Sequence, residues 1–136
     1  MIGIVIIGHG AFASALKSSV ELIAGKQPKI ADISFEPHDS TEDLEKKLKD
    51  VVAGLEPVTG ILFFTDLVGG TPFKVSALLS REMEQTGVVA GANLPMILEA
   101  LFEREHLTIS RAVEKAIQAG KEGIKPFPDP PCVPIV

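Results

Sequence analysis

Met1-Ile-Gly-Ile-Val-Ile-Ile-Gly-His-Gly10 opens the chain. The run Ile2 to Ile7 is apolar and mostly β-branched, the pattern of a strand buried on both faces. It stops at a histidine held between two glycines. The glycines remove side chains from either side of His9 and permit a tight turn. Helical spacing follows at once, with Leu16, Val20 and Ile23 on one face between Ala11 and Ala24, and Gly25 as a stop. His9 is therefore expected on a strand-to-helix turn at the carboxyl end of a strand, where open α/β sheets bind and react.

The alternation continues along the chain. Lys29 to Phe35 reads as a second strand, the least continuous. Ser40 starts a helix with Asp43 three residues on, close to a capping box. Its buried stripe is Leu44, Leu48, Val51, Val52 and Leu55. Gly60 to Phe64 is a third strand, fully apolar. Thr71-Pro72 starts a helix expected to reach Thr86, with Gly87 closing it. Val88 to Ala92 reads as a short fourth strand. Pro95 opens a helix to Arg104, and Thr108 opens the last one, to Ala119, with a glycine-rich exit at Gly120 and Gly123.

Repeated strand–helix alternation predicts a three-layer αβα fold around a mainly parallel sheet. The second strand suits an edge, which suggests the order 2-1-3-4. That order sets the loops after strands 1 and 3 side by side at a topological switch point. Residues 1–124 form the expected domain. Residues 125–136 form a Pro-rich tail with five of the ten prolines, unsuited to a helix or a central strand. It is read as a loose tail or a short edge strand.

Bulk properties exclude several classes. A net charge of −5 argues against nucleic acid, whose binding rests on lysine and arginine neutralising phosphates. It also disfavours direct contact with an anionic membrane surface. No apolar stretch reaches the ~18 residues of a spanning helix. The first residues lack the basic segment of a signal peptide. The single cysteine, Cys132, precludes an internal disulfide. A cytoplasmic location is the resulting expectation.

The loop after the third strand reads Thr65-Asp66-Leu67-Val68-Gly69-Gly70-Thr71-Pro72-Phe73. Asp66 can accept a hydrogen bond from one ring nitrogen of His9. That fixes the tautomer and leaves the other nitrogen's lone pair as a nucleophile. Gly69 and Gly70 let backbone N–H groups approach an anion. The helix N-terminus at Thr71 favours a phosphate or carboxylate, as does the one after Gly10. These parts suit a phosphoryl group carried on a histidine, with no cofactor and no metal. Each also has a plainer reading. His9 can be a solvated strand end, Asp66 a turn residue, the glycine pair a turn, and Thr71 an N-cap. His38 and His106 read as solvated, Phe12, Phe63 and Phe102 as packing, and Asn93 as a cap or a lining residue.

These motifs, with Gly91-Ala-Asn93-Leu-Pro95-Met96 and Gly120-Lys-Glu-Gly123, resemble the IIA component of the mannose/fructose/sorbose group of bacterial sugar phosphotransferase systems. The likeness runs from Met1 to about Lys125. It implies a phosphotransferase with a phosphohistidine intermediate. His9 would accept the group from the phosphocarrier HPr and pass it to a IIB component during sugar uptake. Asp66 would support the ring, and Gly10, Gly69, Gly70 and Thr71 would hold the phosphate. The resemblance also implies a homodimer that exchanges a terminal strand near Gly123 to Phe127, linked to the membrane only through IIC and IID components. A chain ending at Val136 is expected to be a separate IIA subunit. Two rivals stand beside this reading. The phosphoryl-carrier subunit of a dihydroxyacetone kinase tends to have His-Ser at His9-Gly10 and lacks the Gly-Gly-Thr-Pro-Phe run. A tetrapyrrole metal chelatase needs a second histidine ligand, and His106 lies in a charged segment.

Overall fold

A computed structural model describes residues 1–128 of the chain. Four parallel strands form one sheet in the order β2-β1-β3-β4: β1 (Ile2–His9), β2 (Ile30–Phe35), β3 (Gly60–Thr65) and β4 (Thr86–Val89). Five helices connect and follow them: α1 (Phe12–Ala24), α2 (Thr41–Leu55), α3 (Thr71–Arg81), α4 (Leu94–Glu103) and α5 (Ile109–Glu122).

Side-chain alternation along the two central strands sorts the helices into layers. Ile2, Ile4 and Ile6 of β1, with Leu62 and Phe64 of β3, pack against α1, α4 and α5. Val5 and Ile7, with Ile61 and Phe63, point the other way and meet α2 and α3. Both faces are covered, which is why β1 and β3 are apolar throughout rather than alternating. Among the described residues no helix is long and apolar enough to cross a membrane.

The expected architecture and strand order hold, while several boundaries move. β1 runs two residues further than Ile7, so His9 is its last residue. α3 ends at Arg81, and β4 begins at Thr86 rather than Val88. The chain reverses between them through Gln85 at φ 55°, and the Thr86 hydroxyl bonds Ser80 at its Oγ (2.5 Å) and its carbonyl (3.2 Å). Gly87 therefore lies inside β4, where a Cβ would stand 2.7 Å from Val113 of α5. β4 stops at Val89 because Gly91 turns to φ 74°.

Gly120 does not terminate a helix. It is buried within α5, where a Cβ would meet Met96 of α4 at 2.6 Å. α5 continues to Glu122, and Gly123 has an ordinary φ of −74°. Phe102 is not packed but 63% exposed. Residues 123–128 form no strand, and the remainder of the Pro-rich tail lies outside the described residues.

Candidate active site

The parallel pairing of β1 with β3 sets Ile7 beside Thr65, so both chains leave the sheet together. Two residues on, His9 meets Asp66. The carboxylate Oδ2 accepts the His9 backbone N–H at 2.9 Å and lies 2.6 Å from ring Nδ1. The other oxygen, Oδ1, accepts the backbone N–H of Leu67 at 2.9 Å. Burial pushes the Asp66 carboxyl up, but the hydrogen bonds from His9 and Leu67 outweigh it and hold the group below the ordinary carboxylate range. An ionised carboxylate only accepts, so Nδ1 carries the proton and Nε2 holds the free lone pair. Asp66 is largely covered, while about half of the His9 side chain faces solvent.

Glycines make this approach sterically possible. At Gly8 a Cβ would stand 2.6 Å from the Phe12 ring and 3.2 Å from Asp66 Oδ2. At Gly70 a Cβ would stand 3.0 Å from His9 Cε1 and 3.7 Å from Nε2. Gly10 (φ 56°) and Gly69 (φ 82°) occupy the left-handed region that the two turns require.

The helix starts near His9 differ from the others. Ser40, Asn93 and Thr108 cap α2, α4 and α5 with side-chain oxygens. The N-cap positions of α1 and α3 are Ala11 and Gly70, and neither helix has a side-chain cap. The first-turn N–H groups of a helix lack partners within it, so these two ends are suited to an anion beside the imidazole. Thr71 is not the N-cap that its sequence position suggests; it is the first residue of α3, one past Gly70. The structure thus brings His9 against Asp66 and Gly70, with Gly10, Gly69 and Thr71 as their immediate chain neighbours.

The other candidates lie elsewhere. His38 is well exposed in the loop after β2. His106 lies at the opposite end of the sheet, lining a cavity with Met1 and Thr59. Asn93 caps α4 through the Met96 N–H and donates to the Gly120 carbonyl at 2.9 Å. Two contacts of the site escape sequence reasoning. One is the close approach of Gly8 to Asp66. The other is Phe35, whose ring meets His9 edge-on with centroids 5.7 Å apart and planes at 75°. Only the parallel register, which sets His9 opposite Phe35, brings that pair together.

Comparison with known proteins places the chain in a family. The family model described as "PTS system fructose IIA component" matches residues 3–117. The mannose-specific EIIAB component of Escherichia coli (strain K12) is 34% identical over 125 residues, which is 91% of this chain. The chain spans only 39% of that protein's length. The fructose-specific EIIA component of Bacillus subtilis is also 34% identical, over 80% of this chain and 75% of its own. Among solved structures, the phosphotransferase system component EIIA from Streptococcus agalactiae superposes with a TM-score of 0.86 at 39% identity, covering 93% of this chain and 98% of that one. The family model, the relatives and the shared fold agree: the chain belongs to the IIA family of the mannose/fructose type of sugar phosphotransferase system.

Proposed function

We propose that this chain is a cytoplasmic phosphoryl carrier in which His9 Nε2 takes the group from phosphorylated HPr and yields it to a IIB component during sugar uptake. One observation carries the reading. Nδ1 of His9 is engaged by a largely covered carboxylate, which leaves Nε2 free beside two helix starts without side-chain caps.

In the first step the Nε2 lone pair attacks phosphorus. An N–P bond forms at Nε2 as the donor's N–P bond breaks, and the bonding pair leaves with the donor ring nitrogen. The proton on Nδ1 stays in place throughout. The phosphorylated ring is cationic until the group departs, and the adjacent Asp66 charge stabilises it. Backbone N–H groups at Gly10, Gly69, Gly70 and the start of α3, with the Thr71 hydroxyl, would spread the charge of the three phosphoryl oxygens. The second step is the reverse chemistry toward IIB. No cofactor or metal is needed for it.

The test is labelling by phosphorylated HPr. Wild-type protein should acquire an acid-labile, base-stable phosphoryl group, as a phosphoimidazole does and a phosphoserine does not. His9→Ala should acquire none. Normal labelling of that variant would remove His9 from the reaction.

The carrier is further proposed to act as a homodimer. β4 is an edge strand paired only with β3 among the described residues. Beyond α5, Ile124 and Phe127 are 75% and 98% exposed. A second copy of the chain would cover this surface.

A further inference from the structure

We propose that Phe35 is a positioning residue for His9, a wall that confines the imidazole to the orientation in which Nδ1 faces Asp66. The inference rests on the phosphocarrier reading and names a part of the site that reading does not include.

The Asp66 hydrogen bond restrains the ring at one atom only. The second torsion of a histidine is broad, so a ring held at Nδ1 alone can still rock and carry Nε2 off its line of attack. Contacts on other sides are needed to stop it. Gly70 approaches at Cε1. Phe35 supplies another side, with its ring nearly perpendicular to the imidazole at 5.7 Å between centroids. Edge-to-face packing of this kind has a preferred geometry as well as an attraction.

Phe35 can act as a wall because its backbone is fastened on both sides. Gly10 donates its N–H to the Phe35 carbonyl at 3.0 Å, which ties β2 to the turn that follows His9. Asp39 Oδ2 accepts the Glu36 N–H at 2.8 Å and Lys47 Nζ at 2.6 Å. Lys47 also donates to the Ser34 carbonyl at 3.3 Å. One lysine–aspartate pair, with the Asp39 side chain only 4% exposed, thus holds the residues before and after Phe35. The result is a rigid shelf. Together with Pro37 and His9, it lines an open cavity of about 250 Å³ beside the imidazole.

The experiment compares wild type with Phe35→Ala and Phe35→Tyr in the unphosphorylated full-length protein. Imidazole nitrogen resonances of His9, which report its tautomer, are recorded in alkaline buffer. Transfer from phosphorylated HPr is then timed. Phe35→Ala should move the His9 nitrogen shifts toward mixed tautomers and slow transfer by about three- to tenfold, the range an edge-to-face ring pair is worth. Phe35→Tyr keeps the ring and should restore both. Unchanged nitrogen shifts in Phe35→Ala would overturn the proposal. That holds even if transfer slows, since the loss would then lie in partner docking. Shifts that move equally in Phe35→Tyr would also overturn it, by pointing to general loosening of the loop. If wild type itself takes no label, the carrier reading fails, while the nitrogen spectra still report on the wall.

Discussion

A single oxygen of Asp66 receives both polar hydrogens that His9 offers: the backbone N–H at 2.9 Å and the ring at Nδ1, 2.6 Å away. The carboxylate therefore fixes the place of the histidine backbone and the orientation of its ring at once. Replacing Asp66 by Asn keeps the shape but removes the charge, and an amide accepts less strongly than a carboxylate. Transfer from phosphorylated HPr should fall by roughly 10²-fold, the scale of losing one preorganised electrostatic partner. An unchanged transfer rate would take Asp66 out of the mechanism.

The same pair has a signature in stability. The folded-state pKa of Asp66 is depressed, so its contribution is complete above the ordinary aspartate value of about 3.9. It is lost as pH falls through the lower folded value. Denaturant midpoints of wild type and Asp66→Asn should therefore differ at neutral pH and converge as pH drops below about 4. A gap that widens on acidification would contradict the assignment.

Gly70→Ala separates activity from stability. The φ of Gly70 is −76°, which alanine adopts freely, but the new Cβ would press on His9 Cε1 at 3.0 Å. Alanine is a poorer N-cap than glycine, with a stability cost of about 1 kcal/mol or less. Transfer should slow by roughly tenfold as the imidazole is displaced, in keeping with the sensitivity of attack to small misplacements. Parallel chemical denaturation and labelling time courses decide it; a loss of stability without a loss of rate is the contrary result.

Thr65 ends β3 fully buried, and its Oγ1 has no hydrogen-bond partner among the described residues. A buried hydroxyl without a partner costs about 1–3 kcal/mol of desolvation. Thr65→Val keeps the shape and removes the hydroxyl, so it should stabilise the fold by about 1 kcal/mol. Equilibrium urea unfolding measures this, and a lowered midpoint would show that the hydroxyl is satisfied in solution.

Arg104 lies at the far end of the sheet from His9 and is 3% exposed. Its guanidinium donates to the carbonyls of Pro28 (2.6 Å), Lys29 (3.1 Å) and Ile2 (3.4 Å). It joins the end of α4 to the starts of β1 and β2. Arg104→Leu strands those acceptors and should destabilise the protein by about 2–3 kcal/mol, read as a lower unfolding midpoint. The folded variant should still accept phosphate at the wild-type rate; a slowed rate would mean the two ends of the sheet are coupled.

The homodimer predicts a change of association on truncation. Removing the residues after Gly123 should lower the sedimentation coefficient toward that of a monomer. An unchanged coefficient would place the interface elsewhere.

Much of the fold is legible from the chain alone. The strand cores of β1 and β3, the Ser40–Asp43 capping box and the Gly25 stop are each encoded by residues within one element. Local steric and capping rules suffice for those. Where the reading missed, the cause lies between elements. Gly87 and Gly120 look like breakers, yet each serves close packing of α5 against a neighbour. The Thr86 boundary depends on hydroxyl contacts with Ser80 across a turn. Arg104, at the end of α4, gives no local sign of being buried.

Residue order alone specifies that a histidine stands bare at the end of a buried strand and that an acid and a glycine pair follow another such strand. These follow from periodicity and from the short-range demands of glycine, proline and cap residues. That β1 and β3 pair, that one carboxylate oxygen takes both His9 hydrogens, that Gly8 and Gly70 leave room for it, and that Phe35 faces the ring emerge only on folding. Those contacts depend on the register between parallel strands. Register is set by the whole two-sided core rather than by any residue near the site.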